Sequence, residues 1–165
     1  MILRADRLEL RPYTPADEDD FVGLLGDESV NRWMGMPADG AAAVFRRAFL
    51  AESRPAWDIW AICEDGVYIG HAELKPSPHP AVDGHEIVYA LAPSVWGRGI
   101  GSAVTVLLTE YGFGELGLDE VHATVAPENA ASLKLLRRLG YVDDGEIVDP
   151  DDGEVSVLLT RKRAG

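Results

Sequence analysis

The sequence predicts an α+β fold built around a mixed sheet, and three observations carry that prediction. Strand-like and helix-like segments succeed one another in the order β-α-α-β-β-β-α-β-α-β-β. Neighbouring strand segments are joined by hairpin chemistry, most clearly Asp65-Gly66 between two apolar runs. A strand ending near Leu91 feeds through the glycine-rich turn Trp96-Gly-Arg-Gly-Ile-Gly101 into a long amphipathic helix. Hairpins with helices between them point to a mixed sheet and away from an all-parallel one. With 165 residues, the whole chain (1–165) is expected to form one domain with a sizeable core.

Residues 7–12 alternate and read as a strand stopped by Pro12. Thr14 looks like an N-cap, followed by Pro15 and Asp17, and opens a helix to about Leu25. Residues 29–39 read as a loop or short helical turn. A second helix is expected over 41–52, burying Val44, Phe45, Ala48 and Phe49. Strands follow at 57–63 and 67–74. Residues 75–84 hold Pro76, Pro78, Pro80 and Gly84 and form a loop. The strand at 86–91 precedes the glycine-rich turn. The helix after it presents Ile100, Ala103, Val104, Leu107, Leu108 and Tyr111 on one stripe and runs to about Gly112. A strand at 121–125 leads to a helix capped by Asn129 and ended by Gly140. Strands at 141–148 and 155–160 flank an acidic turn.

Composition excludes several functions. Apolar residues are 47% and charged residues 26%, ordinary globular usage, and the net charge is −13. Nucleic-acid binding needs a basic face. The one basic run, Arg161-Lys162-Arg163, reads as a solvated tail, so no nucleic-acid partner is expected. No segment reaches the roughly 18 apolar residues of a membrane span, and residues 1–12 do not read as a signal peptide. The single Cys63 reads as a buried small hydrophobe and fits a reducing cytoplasm. A negative surface suits a cationic partner such as an amine or basic peptide, and equally suits solubility alone.

The turn at 96–101 carries the functional signal. Backbone N–H groups at a helix start lack intrahelical partners, the helix dipole favours negative charge there, and glycines let a phosphate approach the backbone. A phosphorylated ligand is the expected guest, against the alternative of a purely structural turn. A dinucleotide-binding register counted from Gly97 would need glycine where Ser102 stands. The Gly-Lys-Ser/Thr ending of a P-loop is also missing.

Together with a second motif, Asn129 through Gly140-Tyr141, the turn resembles the GNAT superfamily of acetyl-CoA-dependent N-acetyltransferases. The opening stretch Arg7-Leu-Glu-Leu-Arg-Pro-Tyr-Thr-Pro-Ala-Asp17 is similar to the RimJ/RimL-like branch. The resemblance covers nearly the whole chain. It implies a mostly antiparallel sheet of about seven strands with about four flanking helices. The sheet is splayed between the fourth and fifth strands, where the pantetheine arm of acetyl-CoA lies. It also implies a pyrophosphate held by the amides of Arg98, Gly99, Ile100, Gly101 and Ser102, with Arg98 adding a charge. A backbone N–H near Leu91 polarises the thioester carbonyl, and Asn129 contacts the pantetheine. Two positions depart from the pattern: Trp96 stands at the motif's first place, and Leu136 stands where many members carry a tyrosine general acid. Members of the RimJ/RimL-like branch often lack that tyrosine. The acceptor implied is a primary amine, attacked directly. Related proteins are often homodimers. The Leu136 departure keeps open a second reading, an acyl-CoA-binding sensor or scaffold without catalysis.

For the catalytic base the resemblance points to Glu86, which otherwise reads as a solvated strand-end glutamate. Glu73 on the neighbouring strand is the second candidate. Strand alternation puts Glu86, Val88 and Ala90 on one face and His85, Ile87 and Tyr89 on the other, leaving His85 as a rival on the opposite face. His71 and His122 read as satisfied sheet residues, and no metal-ligand spacing is present. Ser132, three residues after Asn129, shares its helix face. The resemblance gives Ser132 the thiol, and helix capping accounts for both residues equally well. Trp33, Met34, Trp57 and Trp60 mark either an acceptor region or simply core.

Overall fold

The computed structural model describes residues 1–34, 39–50 and 58–164. Eight strands form one sheet in the order β1-β2-β3-β4-β5-β6-β8-β7. They are β1 (Leu3–Ala5), β2 (Leu8–Arg11), β3 (Asp58–Glu64), β4 (Val67–Pro76), β5 (His85–Leu91), β6 (Glu120–Val125), β7 (Val142–Val148) and β8 (Val155–Lys162). The helices are α1 (Glu18–Gly26), α2 (Glu28–Asn31), α3 (Ala41–Val44), α4 (Ile100–Gly114) and α5 (Ala130–Arg138). Every neighbouring pair is antiparallel except β5 and β6, which run parallel with one register position, Glu86 opposite His122. That junction lies between the fourth and fifth strands expected from the sequence.

Local rules explain most elements. Asp65 and Gly66 both adopt positive φ (50° and 82°), as a two-residue hairpin turn twisting with its strands requires. The Thr14 hydroxyl and the Asp17 carboxylate form a reciprocal capping box, and a 3₁₀ turn over Pro15–Asp17 leads into α1. Asp17 also takes a bidentate ion pair from Arg11 at 2.8 and 2.9 Å. Gly140 (φ 92°) ends α5 as expected.

Several expectations change. The extra strand β1 spans three residues, too short to show an alternation. The helix expected over 41–52 is α-helical only to Val44, then widens into a π-turn over Phe45–Phe49, and residues 51–52 lie outside the described residues. Arg161 and Lys162 do not form a tail: they are the end of β8, opposite Val121 and Glu120.

The sheet divides two cores. On one face, α4 and α5 pack Ile100, Val104, Leu108, Leu133 and Leu136 onto Leu10, Trp60, Leu74, Ile87 and Val121. On the other, α1 and the π-turn pack Phe21, Phe45 and Phe49 with Tyr13 onto Ile59, Ala61 and the buried Cys63. Trp60 belongs to the first core: its indole N–H donates to the Met1 carbonyl at 2.8 Å, and its ring meets Tyr111 edge-on. It takes no part in an acceptor pocket. Among the described residues, no helix is long and apolar enough to cross a membrane.

Candidate active site

Where β5 and β6 stop pairing, a cavity of about 1070 Å³ opens. Residues 86–91 of β5 form one wall and residues 123–125 of β6 the other. The start of α4 and the inner face of α5 line it on one side of the sheet, and α2 and the residues after it line it on the other.

The α4 end is built from backbone. Gly97 and Gly99 hold φ of 77° and 80°, conformations that a side chain would strain. Gly99 is the N-cap and offers no side-chain acceptor, so the first N–H groups of α4 remain available. A Cβ on Gly101 would sit 3.2 Å from Leu135 and 3.5 Å from Tyr89, so glycine there lets α4 approach α5 and β5. Gly99, Ile100, Gly101, Ser102, Leu91 and Asn129 all line the cavity.

Arg98 does not line it. Its guanidinium is tied to Glu64 of β3 at 3.0 and 2.9 Å, so only its backbone serves the turn. The basic groups that do reach this end are Lys134 and Arg138, and Arg138 donates to the Ser102 hydroxyl at 2.9 Å. Their spacing of four places both on one face of α5, a helical signal present in the sequence. Trp96 fastens the turn to the end of β5, because its indole N–H donates to the Leu91 carbonyl at 2.8 Å.

Asn129 caps α5, its Oδ1 accepting from the Ser132 amide at 3.3 Å. Ser132 also lines the cavity. Burial raises the pKa of the Tyr89 phenol, opposed by the neighbouring Thr105 and Ser132 hydroxyls, which keeps it protonated. Leu136 packs in the core at 2% exposure.

At the other end stand carboxylates. Glu86 is no solvated strand-end residue: it is 4% exposed and faces the cavity. Burial raises its pKa, opposed by the charges of Lys75 and His79 and by hydrogen bonds from Ser77 and Thr124. The Ser77 hydroxyl donates to Glu86 Oε2 at 3.2 Å. Glu73 lines the same cavity and is also buried. His85 is half-buried and not among the lining residues. Trp33 and Met34 do line it; Trp57 lies outside the described residues. A carboxylate whose burial favours its neutral form is suited to exchanging a proton with an amine near neutral pH.

The comparisons with known proteins agree with this geometry. Residues 7–142 match the acetyltransferase (GNAT) domain family. The N-acetyltransferase YoaA of Bacillus subtilis (strain 168) is 28% identical over 87% of this chain and 84% of its own length. An acetyltransferase from Agrobacterium tumefaciens str. C58 shares the fold with a TM-score of 0.82, at 23% identity over 99% of this chain and 95% of that one. Mycobacterium smegmatis RimJ in complex with CoA-disulfide shares it with a TM-score of 0.75, at 23% identity over 98% and 86%. The chain belongs to the GNAT acetyltransferase family and is an acetyl-CoA-dependent acetyltransferase. The glycine-shaped turn, the open helix start and the basic groups of α5 fit the phosphates of that cosubstrate.

Proposed function

We propose that this acetyltransferase moves the acetyl group of acetyl-CoA onto a primary amine by direct attack, the acceptor being a protein N-terminus, an amino acid or a small-molecule amine. One observation carries the reading: a buried carboxylate, Glu86, faces a cavity whose far end is an open, glycine-shaped helix start. Acetyl-CoA supplies the activated acyl group and a good thiolate leaving group. The amides of residues 98–102 hold its phosphates, with Lys134 and Arg138 beside them. The N–H near Leu91 polarises the carbonyl, and Asn129 meets the pantetheine.

Glu86, in its ionised form, takes the proton from the acceptor nitrogen directly or through one water. Ser132 faces the departing sulfur, with the protonated Tyr89 hydroxyl behind it as the proton store that Leu136 does not provide. The Arg7–Asp17 opening and the leucine at 136 support placement in the RimJ/RimL-like branch.

The test combines the purified protein, acetyl-CoA and a panel of amines, with free thiol as the readout. Amine-dependent thiol release is expected. Cofactor binding without such release overturns the transfer reading.

A further inference from the structure

Glu73 lines the cavity on the same strand face as Glu86, and the described groups behind it form a chain that the transfer chemistry leaves unused. His71 Nε2 lies 2.9 Å from Glu73 Oε2, His71 Nδ1 lies 2.8 Å from the Tyr13 hydroxyl, and that hydroxyl lies 2.9 Å from the Tyr68 hydroxyl. His71 is fully buried, stacked on Tyr13 and Phe49 at 5.7 and 5.0 Å between ring centroids.

Burial raises the pKa of both phenols, so each keeps its proton. In the tautomer whose Nε2–H donates to the Glu73 carboxylate, Nδ1 accepts from Tyr13, whose oxygen accepts from Tyr68. The chain holds Glu73 Oε2 at one spot in the wall. Asp17 and Asp20 face the tyrosines from the α1 side and Cys63 from β3, while Lys75 and Glu86 share the face of Glu73.

Building such a chain around a mere wall residue is costly, because a buried carboxylate needs full compensation. Glu73 stands opposite Val88, and Glu86 stands opposite Lys75. The two glutamates are therefore diagonal neighbours, about 7–8 Å apart at Cα.

We infer that Glu73 anchors a second cationic group of the acceptor while Glu86 serves the reacting nitrogen, with Tyr68–Tyr13–His71 as the positioning chain that aims the anchor. The acceptor class is an amine carrying a second positive charge one short aliphatic spacer away. The inference rests on the amine-acetylation reading above.

The experiment compares putrescine with n-butylamine, which keeps the carbon chain and lacks the second amine. In the wild-type protein, putrescine is expected to be preferred in kcat/KM by about 10- to 100-fold, as a charged hydrogen bond would give. In Glu73→Gln the ratio falls toward one because KM for putrescine rises. His71→Asn and Tyr13→Phe lower the same ratio partway, and His71→Asn adds nothing in the Glu73→Gln background. A merely structural chain would instead slow both amines alike. An equal wild-type preference, a ratio that survives Glu73→Gln, or binding of acetyl-CoA with neither amine acetylated overturns the inference. If Glu73→Gln fails to fold, the ratio in Tyr13→Phe decides between the same outcomes. Failure to bind acetyl-CoA would instead overturn the reading beneath it.

Discussion

The two ends of the cavity are built from different materials. The α4 end is backbone: glycines at positive φ, free N–H groups and a capping position without a side chain. The carboxylate end is side chain: Glu86 and Glu73, both nearly fully buried and each with its own partners, Ser77, Thr124 and Lys75 for one and His71 for the other. The contrast matches the ligands proposed for the two ends. A phosphate accepts many bonds and is satisfied by clustered amides at a helix start. An amine must lose a proton at one defined atom, which takes a titratable group at a set place. The first kind of site tolerates side-chain change and resists backbone change, and the second does the reverse.

The largest expected effect is at Glu86. Glu86→Gln should lower kcat/KM by about 10²- to 10⁴-fold and remove the acid limb of its pH profile, with acetyl-CoA affinity preserved. The limb should lie above the ordinary carboxylate range, since burial raises this pKa. The same shift makes a stability prediction. A raised folded-state pKa gives stability that is fully present below the unfolded pKa and lost as pH rises through the folded value. At neutral pH, above the unfolded value, Glu86 therefore costs stability, and thermal unfolding of Glu86→Gln should show a Tm equal to or above wild type. A clear drop in Tm at pH 7 would contradict that.

Gly99→Ala tests the opposite end. Nothing lies within 4 Å of a Cβ there, so the effect is backbone strain alone, about 1–2 kcal/mol for a side chain at that φ. Acetyl-CoA Kd should rise about 10-fold, by titration calorimetry, while the pH profile keeps its shape. A change in that profile would mean the two ends are not separable.

Ser132→Ala is expected to be smaller, a several-fold loss in kcat with unchanged Tm, because the α5 cap uses the backbone amide of Ser132 and not its hydroxyl. The smallest effect belongs to Arg98→Ala. The exposed Arg98–Glu64 pair contributes on the order of 0.5 kcal/mol at most. Acetyl-CoA affinity should stay within about twofold of wild type, whereas Arg138→Ala should weaken it measurably. Equal losses would bring Arg98 back as a phosphate contact.

The same division governs what can be read from the chain. The glycine-rich turn, the Asn129 cap and the Asp65-Gly66 hairpin are short, contiguous and dictated by φ or by unmet N–H groups, so their residue types betray them. Glu86 is reached only through the family resemblance, from its place before Ile-Val-Tyr, and its burial is not legible in the sequence. Arg98 shows what lies beyond the sequence: an arginine inside the turn resembles a phosphate ligand, while in the structure its side chain pairs with Glu64, 34 residues earlier. Trp60 resembles pocket material and is core, because β3 turns that face toward α4.

Local chemistry in the sequence thus determined the order of the strands other than β1, the turn conformations, the helix caps and the position of the glycine-rich helix start. Tertiary structure alone decided which charged and aromatic groups meet. Strand alternation puts His71 and Glu73 on one face of β4, but only the packing of Tyr13 and α1 against β4 joins Tyr13 to them. A backbone conformation is selected by one or two neighbouring residues, whereas a buried polar contact depends on every element that excludes water from it.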